Sequence, residues 1–212
     1  MAEYHLYCFA ESGNSYRAAL MLNLIGADWE PVFVDFFNGE TRTAEYRARV
    51  NEMGEAPVLV HGGNKLSQSG VILTYLAEHS GKFLPRGEAA RLEALRWIIF
   101  DNQKLNGSLA PYRFLYALSK PRGDPAVLEF LKSRAEAPLD ILDRRLADRA
   151  FVLGAEPTIA DLSLVGYLYY PPKEFGFDIA AARKHIAGWL DRIRALPGWR
   201  HPYDLMPRAP AK

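Results

Sequence analysis

With a single cysteine, Cys8, the chain cannot close an internal disulfide. Its first residues, Met1-Ala-Glu-Tyr-His5, lack the basic and apolar regions of a signal peptide, so a reducing cytoplasm is the expected compartment. No uninterrupted apolar run approaches the roughly 18 to 20 residues of a membrane-spanning helix. Neither sign of charge is in excess: 26 Lys and Arg stand against 25 Asp and Glu, a formal net charge of +1. Nucleic acid and membrane surfaces are therefore not expected as partners. The five histidines, His5, His61, His79, His185 and His201, are scattered without ligand spacing, so neither a metal centre nor a catalytic triad is expected. Internal repeats and low-complexity stretches are missing as well. What is present is a 212-residue chain with 49% hydrophobic residues, enough to fill one large core or two small ones.

The stretch from Gly54 to Tyr75, GEAPVLVHGGNKLSQSGVILTY, organises the rest. Ala56-Pro57 stands directly before the apolar run Val58-Leu59-Val60, and a proline has no N–H for a ladder, so Pro57 marks the start or edge of a strand. His61-Gly62-Gly63-Asn64 has the glycines and asparagine of a tight hairpin, with Lys65-Leu66-Ser67 as the returning strand. Gln68-Ser69-Gly70 then opens a helix whose apolar face is Ile72, Leu73 and Leu76. A side-chain amide, a hydroxyl and free backbone N–H groups converge at that helix N-terminus, a natural seat for a carboxylate. The plainer alternative makes Ser69 a helix cap and Gln68 a solvated turn residue.

Upstream, Tyr4 to Phe9 alternates and is aromatic, as a strand does. Ala10 to Asn14 breaks it, and from Ser15 a helical period through Ala18, Leu22 and Ile25 runs to a stop at Gly26. Trp29 to Phe33 reads as a second strand, and a helical crossover between two such strands implies parallel pairing. Thr41 to Val50 is charged and weakly periodic, a short irregular helix at best. The order βαβ then ββα is the thioredoxin-like arrangement. His79 to Gly87 mixes turn residues with Phe83-Leu84 and separates this α/β part, residues 1–80, from purely helical patterning over 88–212. In the second part Leu92, Leu95 and Ile99 mark a long helix expected to reach about Asn106, before Gly107 and Pro111 disturb it. Leu128, Leu131, Leu139, Leu142 and Leu146 mark another, with Pro138 inside it expected to kink or divide it. Thr158-Ile-Ala-Asp161 is a capping box in which Asp161 holds the place usual for Glu or Gln.

Chemistry is expected in the loop after the first strand, because ligands of open α/β sheets gather beyond the carboxyl ends of strands and at helix N-termini. There Ser12, Asn14 and Ser15 offer small polar donors at a positive helix end. Such a donor favours a bound thiolate over the thiol, whose free pKa is ~8.5. Capping is the alternative for either serine, and the preferred one for Ser15. Cys8 sits within the strand, before this loop, and reads as a small core residue. Tyr112, Tyr116, Tyr167, Tyr169 and Tyr170 form an aromatic set that lines either a core or an apolar cleft.

Ala56-Pro57-Val58-Leu59 followed by Gln68-Ser69, the Ser12 loop, the Thr158-x-x-Asp161 box and the Trp189-to-Pro197 ending together resemble the cytosolic glutathione transferases. The likeness covers about Tyr4 to Tyr203. It implies an N-terminal thioredoxin-like domain that binds glutathione as co-substrate, followed by an all-helical substrate domain. On this resemblance Ala56-Pro57 is cis, the backbone of Val58 pairs with the peptide-like middle of glutathione, and Gln68 with Ser69 holds its γ-glutamyl end. Ser12 aligns with the thiol-activating serine of zeta- and theta-like members, where beta- and omega-like members carry cysteine. Asn14 matches a functional asparagine of some bacterial disulfide-reducing members and is the second candidate donor. The second substrate, a small electrophile, would meet Ala10, Tyr112 and Tyr167. A homodimer without metal is implied. The resemblance also leaves open an isomerase of the maleylacetoacetate type, a disulfide reductase, and a non-catalytic binding protein like the stringent starvation protein and elongation-factor relatives.

Overall fold

The computed structural model describes residues 2–208, and the chain divides into two compact units. One runs through Lys82 and includes the segment from Leu196 onward; the other spans Phe83 to Ala195. The first is built on a four-stranded sheet of β1 (Tyr4–Cys8), β2 (Trp29–Phe33), β3 (Val58–His61) and β4 (Asn64–Ser67), in the order β2-β1-β3-β4. β1 and β2 are parallel and joined by α1 (Gly13–Ile25), while β3 pairs antiparallel with both β1 and β4. This is the thioredoxin-like order expected from the sequence.

Alternation in β1 sends Tyr4, Leu6 and Cys8 inward. Burial pushes the Cys8 thiol up to about 12, so it stays protonated and serves as packing. α1 is buried on more than one face, because Ala18 and Ala19 beside Leu20, Met21 and Leu22 let neighbouring elements approach closely. It packs against α3 (Ser69–Ser80) and ends at Gly26, whose φ of 74° supplies the left-handed turn of a C-cap. Two 3₁₀ turns and α2 (Ala44–Arg49), capped by Thr43, fill the weakly periodic stretch.

In the second unit, the helical rod that begins with α4 (Glu88–Phe100) does not stop near Asn106. It passes through a π turn at Asp101–Leu105 into α5 (Asn106–Arg113), and a second π turn at Phe114–Leu118 follows. The wide turns close by i→i+5 bonds, Asn106 N–H to Asp101 O and Ser119 N–H to Phe114 O. They absorb Gly107 and Pro111 without breaking the rod. α6 (Pro125–Arg145) starts at an Asp124 cap and runs undivided through the buried Pro138. α7 (Ile159–Leu164) opens on the expected capping box, and α8 (Lys184–Arg194) carries Trp189 into the core. Asp161, fully buried, accepts from Val152 N (2.9 Å), Thr158 N (2.9 Å), Thr158 Oγ1 (3.2 Å) and Trp189 Nε1 (2.9 Å). No helix among the described residues is long and apolar enough to cross a membrane.

Candidate functional site

The sheet register brings the two halves of the central motif together. Ala56-Pro57 is cis, and Val58, the first residue of β3, lies opposite Ser67, so Pro57 and Val58 stand beside Gln68 and Ser69 at one end of the sheet. Val58 is also opposite Tyr7 on β1, shortly before the loop that carries Ser12 and leads into Asn14 in α1. The approach to Pro57 is held from below: Tyr46 Oη (3.0 Å) and Asn51 Nδ2 (3.1 Å) both donate to the Glu55 carbonyl. Burial, with the charge of Glu40 added, pushes the Tyr46 phenol up to about 12, so it remains a donor at neutral pH.

Gln68 adopts φ 68°, ψ 114°, backbone that a non-glycine residue rarely takes, and it precedes α3 without a side-chain capping bond. Its Nε2 donates to Glu55 Oε2 at 2.8 Å. Ser69 is the first residue of α3, so its hydroxyl is not the helix cap. Instead Ser69 Oγ accepts from Arg17 Nη1 at 3.1 Å, with both residues buried. A lone pair taken by a guanidinium leaves the Ser69 proton to be donated elsewhere. Arg17 is the residue that pattern reading passes over. The available signal was a lone charge in an otherwise uncharged helical run, Ser15 to Ile25.

Ser12 caps α1: its Oγ accepts from Ser15 N at 3.1 Å, and its own N–H donates to Phe9 O at 3.1 Å. Capping uses a lone pair and not the proton, so both roles fit one hydroxyl. Ser12 is buried, and its hydroxyl donates to no acceptor among the described residues. Asn14 lies in the first turn of α1, half-buried, and the fully buried Ser15 hydroxyl has no hydrogen-bond partner among the described residues. Ala10 is buried and donates to Pro207 O at 2.8 Å. Tyr112 and Tyr167 are both buried in the helical unit, Tyr112 donating to Phe175 O at 2.7 Å. No group of three or more His, Cys, Asp or Glu side chains among the described residues is placed to hold a metal ion.

A thioredoxin-like sheet with a cis-proline strand, followed by a helical unit, defines a class of protein that comparison with known chains makes specific. Residues 2–78 match the glutathione S-transferase N-terminal domain and residues 125–192 the glutathione S-transferase C-terminal domain. The chain belongs to the glutathione S-transferase family. It is 32% identical to a maleylacetoacetate isomerase of Rhizobium meliloti, over 88% of this chain and 89% of the relative. A crystal structure of a glutathione S-transferase from Pseudomonas fluorescens is similar with a TM-score of 0.86 and 31% identity, over 95% of this chain and 99% of that one. A second family member from that organism, solved with two glutathione molecules bound, gives a TM-score of 0.71 at 25% identity, over 93% of this chain and 85% of that one.

Proposed function

We propose that this protein is a serine-type glutathione transferase, related in its chemistry to zeta- and theta-like members, which ionises glutathione and adds its thiolate to a small electrophile. The observation that carries the reading is Ser12, a buried hydroxyl whose lone pair caps α1 while its proton is left to donate. A thiol placed before it would share that proton's hydrogen bond with the positive end of α1, and both favour the thiolate. The backbone of Val58 takes the peptide-like middle of glutathione. Ser69, with the Arg17 charge behind it, takes the γ-glutamyl carboxylate, and Gln68, its amide nitrogen held by Glu55, turns its oxygen to the neighbouring ammonium. The helical unit shapes the second substrate's pocket, with Tyr112 and Tyr167 as its candidate aromatic surfaces.

Retention on immobilised glutathione, followed by turnover with an electrophilic aryl halide, tests the reading; a chain that neither binds nor turns over belongs with the non-catalytic members. The identity to a maleylacetoacetate isomerase favours a second reading, isomerisation through the same thiolate. A product that retains glutathione distinguishes transfer from isomerisation, which returns the thiol unchanged.

Ser69→Ala should lower glutathione affinity by about one to two orders of magnitude, the worth of a charge-assisted hydrogen bond. Arg17→Met should weaken affinity less, by about tenfold, because it removes a charge that acts through Ser69. In both variants KM for glutathione rises while turnover at saturation changes little. Titration calorimetry showing wild-type affinity in Ser69→Ala would leave Ser69 without the role given to it.

The family resemblance also supports a homodimer, and α4 carries a face for it: Leu92, Leu95 and Ile99, spaced three and four apart, are 60%, 50% and 46% exposed. Light scattering at micromolar concentration is expected to give twice the chain mass; a monomer mass would remove this assignment.

A further inference from the structure

The first unit includes a C-terminal segment, residues 196–207, that runs back along α1 from its last turn to the loop carrying Ser12. At the far end Asn23 Nδ2 donates to Gly198 O. Gly198 has φ +91°, and a Cβ there would stand 2.8 Å from the Asn23 carbonyl oxygen, so glycine is what lets the segment lie this close to α1. Midway, the buried Tyr16 donates from Oη to Arg200 O at 3.0 Å. One turn of helix follows, α9 (Pro202–Leu205), with proline at its first position, where no helical acceptor awaits the missing N–H. His201 Nδ1 caps it, accepting from Tyr203 N at 3.3 Å. α9 packs on α1, and Leu205 and Met206 are buried.

At Met206 the chain becomes extended (φ −120°, ψ 151°), the region a residue before proline favours, and Pro207 O accepts the Ala10 N–H at 2.8 Å. Ala10 is fully buried and lies between the end of β1 at Cys8 and Ser12. Phe9 O in turn accepts the Ser12 N–H at 3.1 Å. The Phe9 carbonyl and the Ala10 N–H are the two ends of one peptide group, which is planar and stiff. That single plane therefore links Pro207 on one side to Ser12 on the other. A buried amide must keep an acceptor, so the bond to Pro207 holds the plane in one orientation. Tilting it would carry the Phe9 carbonyl, and with it the backbone of Ser12, away from its place.

We propose that residues 198–207 form a strap that aims the Ser12 hydroxyl, with Met206 and Pro207 as positioning residues that act through the Phe9–Ala10 peptide; this rests on the reading in which Ser12 donates to the thiol. A shift of about 1 Å caused far from the reacting atoms costs up to about a hundredfold in rate. The contacts that hold glutathione are assigned to Val58, Gln68 and Ser69, none of which the strap touches through the bonds described, so its effect falls on turnover and not on affinity.

The test is Met206→Gly/Pro207→Gly in the full-length protein, which keeps length and charge but removes the buried side chain and the ring that hold the Pro207 carbonyl in place. With glutathione and an aryl halide, kcat at neutral pH should fall roughly 10- to 100-fold, while KM for glutathione stays within about twofold. The bound thiol's pKa, read from thiolate absorbance, should rise, and the Ala10 and Ser12 amides should exchange faster with deuterium. In a Ser12→Ala background the same pair of substitutions should leave kcat and the thiol pKa where Ser12→Ala alone puts them, because the strap acts through that hydroxyl. Tyr16→Phe releases the strap at Arg200 and keeps the ring in the core. It should move kcat and the pKa the same way to a smaller extent, and it serves as the test if the double variant does not fold. A wild-type thiol that is not ionised at neutral pH would remove the Ser12 reading and the strap's role together. An ionised wild-type thiol whose pKa and turnover are unmoved in the strap variant, or an equal loss in the Ser12→Ala background, would overturn the strap's role alone.

Discussion

Ser12→Ala is expected to lower turnover at neutral pH by about two to three orders of magnitude, the scale of removing one hydrogen-bond donor from a developing charge. Glutathione affinity should remain nearly intact, because the contacts that hold the tripeptide are assigned to Val58, Gln68 and Ser69. The pKa of the bound thiol should rise towards the ~8.5 of a free thiol, so raising the pH should restore much of the lost rate. The thiolate's ultraviolet absorbance, titrated on the enzyme–glutathione complex, reads that pKa directly. Ser12 also caps α1 through Ser15 N, so the same substitution should cost about 1 kcal/mol of stability. Ser12→Thr keeps both the cap and the proton and should behave nearly as wild type. The experiment is repeated on Asn14→Ala and Ser15→Ala. An unshifted thiol pKa in Ser12→Ala, with the shift lost in Asn14→Ala, would move the donor two residues along the loop and favour disulfide reduction over transfer.

How much of this site is legible in the sequence depends on whether each part is local. Pro57 before an apolar run, the Gly62-Gly63-Asn64 turn and the period of Ile72, Leu73 and Leu76 are local signals, and the sheet, hairpin and α3 follow them. Thr158 and Asp161 are three apart, and their box forms as read. Arg17 is different, because its partner Ser69 is 52 residues away and no spacing rule connects them. Only the packing of α1 on α3 sets the guanidinium behind the hydroxyl. The continuation of the long helix of the second unit past Asn106 escaped for another reason. Glycine and proline are ordinary stop signals, but a π turn on either side of Asn106–Arg113 inserts a residue and shifts the buried face, so the rod continues where a 3.6-residue period fails. Pro138 likewise stays inside α6, buried between Ala135 and Leu139 on the core-facing side.

Asp161→Ala is expected to produce the largest loss of stability among single substitutions in the helical unit, about 3–5 kcal/mol. The box that pattern reading assigns to α7 proves to be half of its work. The same carboxylate receives the Val152 N–H from the preceding turn and the Trp189 indole N–H from α8, so one side chain joins three segments. Removing it strands the Val152 and Thr158 amides and the Trp189 indole without acceptors, each at a cost of about 1–3 kcal/mol when buried. Burial pushes the Asp161 carboxyl above its ordinary pKa, and the four donors pull against that without cancelling it. Asp161→Asn should be nearly as damaging, since its amide would aim N–H groups at one of these donors. Trp189→Phe removes only one donor and part of a ring, and should cost less than either. Urea unfolding followed by tryptophan fluorescence gives the ranking, with circular dichroism checking that both units are folded at the start. A loss below about 1 kcal/mol in Asp161→Ala would mean that water replaces the carboxylate and that α7, the 150s turn and α8 are held together by apolar packing instead.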